Sequence, residues 1–186
     1  IYFRDKLRKI SAKTMAITIE KISYQNKKDA RILEEVLTNW FKDPKELNLT
    51  DPKMSYPFNF KKWVTLTYAN QEIHSFVIKS EDWIIGIGNL MIIPDTKRAH
   101  ALHIFIDPEY RQQGLAEKLV RHLESLGRSE KMEVMTLRIA PKNKPAIKLY
   151  KKLGFEETGS SKRKGNVNVA CRVSTECLPE RLLTTL

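Results

Sequence analysis

Two hydrophobic rhythms take turns along this chain, one with a period of two and one with a period near 3.6. Met15–Ile22 sets Ile17 and Ile19 against Thr18 and Glu20, the alternation of a half-buried strand. Leu33, Val36, Leu37 and Trp40 then recur at helical spacing within Lys28–Phe41, which predicts an amphipathic helix. Pro44, Pro52 and Pro57 punctuate what reads as an irregular connection, with a second short helix over Lys61–Tyr68. Strand-like runs follow at Ile73–Lys79, Trp83–Ile93 and His100–Ile106. The polar turns between them, Glu81–Asp82 and Pro94–Arg98, are short enough to imply antiparallel hairpins.

In the second half the two rhythms meet at a turn that matters chemically. Leu102–Ile106 ends at Asp107-Pro108, and from Leu115 an amphipathic helix begins with Leu115, Leu119, Val120, Leu123 and Leu126 on one stripe. Glu117 and Arg121 are spaced to pair across one turn, and Gly127 is a natural stop. A strand, a glycine turn and a helix start make an anion site. The first N–H groups of a helix have no intrahelical partners, and its dipole adds positive potential there. Gly114 lets a phosphate approach the backbone, though one glycine before a helix is by itself a weak signal. Met132–Ala140 is a further strand. After it, Asn143 is a good helix N-cap, Pro145 fits the first turn and Gly154 suits the left-handed terminus.

Composition narrows the class without changing this picture. The 186 residues suffice for one core, and 41% hydrophobic with 30% charged residues is the balance of a soluble globular chain. No run approaches the roughly 18 apolar residues of a membrane span. Two cysteines, Cys171 and Cys177, are too few for a disulfide framework or a cysteine-built zinc site, so no metal is expected. The net charge of +11 is concentrated at the ends: residues 1–14 carry +4 and residues 159–186 carry +3. No aromatic-and-basic motif accompanies it, so solvated tails are preferred over nucleic-acid binding. Residues 1–14 read as an extension or leader before Met15, 15–175 as one domain and 176–186 as a tail, in a chain expected in the cytoplasm.

The pair R-x-x-G-x-A (Arg111, Gly114, Ala116) and N-x-x-A-x-x-L-Y-x-K-L-G-F (Asn143, Ala146, Leu149, Tyr150, Lys152 to Phe155) resembles the GNAT superfamily of N-acetyltransferases. The commonest form of the family motif has glycine at the positions of Gln112 and Ala116. The resemblance implies an α/β fold with a mixed, mostly antiparallel sheet splayed between its fourth and fifth strands, flanked by about four helices. Acetyl-CoA would lie in the splay. The backbone of Ile104, Phe105 and Ile106 would pair with the pantetheine arm. Arg111, Gln112, Gln113, Gly114, Leu115 and Ala116 would form the pyrophosphate turn, and Asn143 would sit near the pantetheine or serve as a plain N-cap. A Val167–Val173 strand would close the sheet. The implied chemistry is direct attack of a neutral amine on the thioester, with backbone N–H groups stabilising the oxyanion. Tyr150 would protonate the thiolate, as a phenol is protonated at neutral pH. His103 is the best-matched base among the histidines, with His74, His100 and His122 behind it and an ordered water chain as the alternative.

The expected partner is an amine acceptor, with no membrane and with nucleic acid disfavoured, and a homodimer is left open. Residues 29–51 carry Asp29, Glu34, Glu35, Asp43, Glu46 and Asp51 against Arg31, Lys42 and Lys45. The next stretch is aromatic, with Tyr56, Phe58, Phe60, Trp63 and Tyr68. An acidic rim with aromatic walls would suit a small cationic amine, while a solvated helix face beside a packed core is the plainer reading; a peptide N-terminus or lysine stays open. A CoA-binding module without turnover, or a basic adaptor for RNA or an acidic partner, are the rival readings.

Overall fold

A computed structural model describes residues 16–69, 72–160 and 167–172. The expected leader, the 176–186 tail and Cys177 lie outside the described residues.

The strands are β1 (Ile17–Ile22), β2 (Ile73–Ser80), β3 (Trp83–Ile93), β4 (Arg98–Ile106), β5 (Val134–Ile139), β6 (Glu156–Ser160) and β7 (Val167–Arg172). They form one sheet in the order β1-β2-β3-β4-β5-β7-β6, antiparallel except where β4 meets β5. The helices are α1 (Lys27–Trp40), α2 (Pro44–Thr50), α3 (Phe60–Trp63, continued as a π-helical turn over Val64–Tyr68), α4 (Leu115–Ser129) and α5 (Lys144–Lys152). Among the described residues no helix is long and apolar enough to cross a membrane.

Each face of the sheet buries a different helical stripe. On one, Leu115, Leu119, Val120 and Leu123 of α4 and Tyr150 of α5 pack with Ile78, Leu90, Met135 and Leu137. The fit is close at Gly88, where a Cβ would stand 2.6 Å from Leu119 Cδ2, so β3 and α4 approach only because that position is glycine. On the other face α1, α2 and α3 close over Val77, Ile87 and Phe105, with Leu33, Leu37, Phe41, Leu47 and Trp63 buried between.

The feature that shapes the site is the parting of β4 from β5. A parallel pair needs a crossover, here α4, and these strands share only three rungs, ending at His100 opposite Thr136. β4 continues to Ile106 and β5 to Ile139 without further pairing. In the same stretch the β3–β4 register shifts between Ile87 and Asn89, and His103 has φ 47°. Such a bulge increases local twist and bends the strand.

Three expectations are corrected. The connection after α1 holds a helix, because Asp43 caps it through Lys45 N at 2.8 Å and Pro44 opens it; proline at a first turn starts a helix instead of breaking one. Gly127 does not end α4, which runs to Ser129; its bare backbone lies against Ala99. Glu117 and Arg121 do not pair with each other: Glu117 takes Lys152 of α5 at 2.7 Å and Arg121 takes Glu124 at 3.1 Å. The sheet also gains β6 beyond the expected last strand, with β7 inserted between β5 and β6. Among the described residues five helices flank it, close to the expected four.

Candidate active site

The turn between β4 and α4 is built to leave donors open. Asp107 caps its first bend, accepting from Glu109 N at 3.0 Å. Gln112 and Gly114 both take left-handed conformations, at φ 63° and 76°. Gly114 is the N-cap residue and supplies no side chain, and the first bond into α4 runs from Lys118 N to Gly114 O at 3.0 Å. No described residue accepts from the N–H groups of Gln113, Gly114, Leu115 or Ala116. With the helix dipole behind them they form a concave donor surface for an anion. The Gln112 and Gln113 side chains are exposed, Ala116 is half-buried, and Leu115 turns its side chain into the core, leaving only its N–H to the site.

Arg111 faces elsewhere. Its Nε donates to the Ile106 carbonyl at 2.9 Å, and its two terminal nitrogens meet the Glu46 carboxylate at 3.0 and 2.7 Å. The guanidinium also lies 5.1 Å from the Phe105 ring centroid. These bonds make Arg111 a tie between the turn and α2. A second tie runs from Trp40 Nε1 on α1 to Asp107 at 2.8 Å. The Phe105 side chain packs against Trp40 and Phe41, so of this residue only the backbone remains for a ligand.

Where β4 and β5 separate, a cleft opens between residues 101–104 of β4 and residues 137–140 at the end of β5. Leu49 and Thr50 of α2 reach it from one side, Asn143 and Tyr150 of α5 from the other. The Asn143 side chain accepts from Ala146 N at 3.3 Å, so it caps α5 while also facing the cleft. Tyr150 is buried against Phe155, and that burial pushes its phenol upward from its ordinary pKa. It is thus held protonated beside the cleft, a state suited to donating a proton.

His103 is turned into the other face of the sheet. Its Nδ1 lies 2.7 Å from the Tyr68 hydroxyl, its Nε2 lies 3.4 Å from Asp51 Oδ2, and Trp63 tilts over the ring at 4.1 Å. A carboxylate only accepts, so in the neutral ring Nε2 carries the hydrogen and Nδ1 accepts from Tyr68. In that tautomer neither ring nitrogen offers a lone pair to an incoming amine. Burial works to raise the Asp51 carboxyl, but the hydrogen bond and charge of His103, with the Lys53 N–H, hold it below its usual value. Burial pushes the Tyr68 phenol well up, reinforced by Tyr24 and Asp51. The sequence offered Asp51 and Tyr68 only as parts of an acidic rim and an aromatic wall, not as partners of His103. The signal for them is spatial, since one closes α2 and the other ends the π-helical turn.

The other histidines have local roles. His100 Nδ1 sits 2.9 Å from Thr136 Oγ1 at the fork of the splay. Burial, then Arg138, Arg98 and His103, lowers its pKa from 6.5 to about 4. His122 packs edge-on to Phe76, and His74 lies 3.9 Å from Glu72.

Most acids expected to rim the acceptor site serve the fold. Asp29 accepts from Ser23 N, Asp43 caps α2, Glu46 holds Arg111 and Asp51 holds His103. Glu34 and Glu35 stay exposed on α1. Trp63 is wholly buried, while Phe58 and Phe60 pack against the same core, so these rings are core more than wall. Among the described residues no group of His, Cys, Asp and Glu is placed to hold a metal ion.

An opened mixed sheet, with a turn of free N–H donors at one end of the gap and a protonated phenol beside it, is the architecture the site presents. The chain belongs to the acetyltransferase (GNAT) family, whose model matches residues 34–155. Human N-acetyltransferase 8 is 30% identical over 103 residues, 53% of this chain and 45% of that protein. The chain spans about half the length of the curated relatives it matches. Spermidine N-acetyltransferase from Vibrio cholerae, solved with CoA and spermine, superposes with a TM-score of 0.66 at 18% identity, over 84% of this chain and 95% of that one. The ribosomal-protein-S18-alanine N-acetyltransferase from Escherichia coli gives 0.63 at 18% identity, over 91% and 100%. At such identities the likeness is one of fold.

Proposed function

We propose that this chain transfers an acetyl group from acetyl-CoA to a primary amine. The observation that carries this reading is the splay. Beyond His100 one edge of β4 has no strand beside it, and the unpartnered N–H turn lies at the end of that edge. An unpaired edge takes an extended ligand as an added strand, so β4 from Ile104 to Ile106 receives the pantetheine amides. The N–H groups of Gln113 to Ala116 receive the pyrophosphate. Asn143 borders the pantetheine end of the cleft.

The amine attacks the thioester directly. Backbone N–H groups at the bulge of β4 stabilise the oxyanion, and Tyr150 donates its proton to the leaving sulfur. Because both ring nitrogens of His103 are engaged, the ammonium proton leaves through water. The two solved neighbours act on amines of different sizes, spermidine and a ribosomal protein's alanine. A primary amine is what these acceptors share.

The test is thiol release from acetyl-CoA across a panel of polyamines, lysine and short peptides, with products weighed by mass spectrometry. Amine-dependent release with a matching acetylated product supports the reading. CoA binding without release from any amine identifies a non-catalytic CoA-binding module instead, and absence of CoA binding removes both.

A further inference from the structure

The backbone of β4 does not bend at His103 because of the residue's own preference. A histidine at φ 47° stands in a region that costs an L-residue roughly 1 kcal/mol or more, and it persists only where surroundings impose it. Those surroundings are identifiable. The register shift leaves His103 and Ile104 together opposite Gly88, and the His103 side chain is drawn away from the cleft by groups from two other elements. Asp51, at the C-terminal end of α2, takes Nε2, while Tyr68 takes Nδ1 and Trp63 covers the ring.

Both hydrogen-bonding side chains are themselves fixed. Asp51 Oδ1 accepts from Lys53 N at 2.9 Å, and the Tyr68 ring stacks on Tyr24 at 3.8 Å. Tyr68 also sits in a π-helical turn, a conformation that proteins use sparingly and often beside functional sites. The His103 and Asp51 side chains are only 8% and 10% exposed, so solvent does not compete for these bonds.

We propose that Asp51 and Tyr68 are positioning residues: by gripping the His103 imidazole from behind the sheet they hold the β4 bulge in the shape that presents its backbone to the thioester and pantetheine. The inference rests on the acetyl-CoA reading of the splay and assigns His103 a mechanical role in place of a proton-accepting one. What the grip needs from Asp51 is an acceptor oxygen, not a charge.

That distinction supplies the experiment, done on the full chain with acetyl-CoA. Tyr68→Phe removes one hydroxyl and keeps the ring, Asp51→Ala removes the acceptor, and Asp51→Asn keeps an amide oxygen. Calorimetry reads acetyl-CoA affinity, steady-state kinetics reads kcat and the pH profile, and thermal unfolding checks the fold. The expected result is at least fivefold weaker acetyl-CoA binding and a larger loss of kcat in Tyr68→Phe and Asp51→Ala. Asp51→Asn should recover most of both, and the acidic limb of kcat/KM should not move.

Among the described residues the charged and titratable groups around His103 are Asp51 with Lys53 beside it, Tyr68 with Tyr24 behind it, and His100 on its own strand. Asp51→Asn as damaging as Asp51→Ala, with a displaced acidic limb, would overturn the proposal in favour of a charge-dependent proton acceptor. Wild-type affinity and kcat in all three would overturn it as well. If the unaltered protein binds no acetyl-CoA, the functional reading fails. Long-range nitrogen–proton NMR then tests the grip separately: hydrogen on Nε2, with Nδ1 accepting, supports it, and the opposite tautomer refutes it.

Discussion

Arg111 and Glu46 meet through two parallel hydrogen bonds, at 3.0 and 2.7 Å, and so fasten the turn before α4 to the helix that brings Leu49 and Thr50 to the cleft. Both side chains are partly open to solvent, so removing the pair should change stability by about 1 kcal/mol or less. Its effect should appear in position. Glu46→Ala frees α2 from the turn, and acceptor KM should rise roughly three- to tenfold while CoA affinity stays within about twofold, since geometry errors are felt where two reactants must align. Steady-state kinetics beside calorimetry checks this; a loss confined to CoA binding would show that Arg111 serves the phosphate after all.

Gly114 separates steric from electrostatic effects. A Cβ there meets nothing within 4 Å, so Gly114→Ala should cost only the left-handed backbone penalty, about 1 kcal/mol of stability. Gly114→Glu adds a negative charge at the mouth of the donor turn and should weaken CoA at least tenfold beyond the alanine variant. Equal CoA affinity in folded alanine and glutamate variants would move the pyrophosphate elsewhere.

These features differ in how far the sequence announced them. The donor turn and α5 were legible because local chemistry decides them: a glycine where φ is positive, an asparagine cap, and apolar residues at helical spacing. The splay was legible only through the family resemblance, since nothing in Leu102–Ile106 or Met132–Ala140 says that two strands begin together and part. Pro44 misled because the same residue that breaks a helix interior opens a first turn. The surroundings of His103 were not legible because its partners arrive from 35 or more positions away. The acidic segment looked like a rim because sequence counts charges without their hydrogen bonds.

In the proposed reaction Tyr150 is the proton donor. Tyr150→Phe keeps the ring against Phe155 and deletes the hydroxyl, so CoA affinity should stay within about twofold while kcat falls by roughly 10²–10⁴. The change in kcat should be read where chemistry limits turnover, using a slow amine. If kcat holds within about twofold there, water supplies the proton and Tyr150 only packs.

The last rung of the splay, His100 with Thr136, should report on pH through stability. Burial is the largest cause of the lowered His100 pKa, about 4 in the fold against 6.5 for the free side chain. The folded state therefore binds fewer protons than the unfolded one as pH falls below 6.5, and the neutral ring's contribution is fully present above that value. It is lost progressively as pH falls toward about 4. Between pH 7.5 and 5 the loss should approach about 2 kcal/mol, before depressed carboxyls such as Asp51 begin to titrate. His122, lowered by burial, adds in the same direction. Urea unfolding at the two pH values should show a steep loss for the unaltered chain and a markedly flatter one for His100→Gln, which removes the titrating group. Equal slopes in both proteins would mean that His100 protonates without opening the fork, through solvent reaching the ring from the cleft.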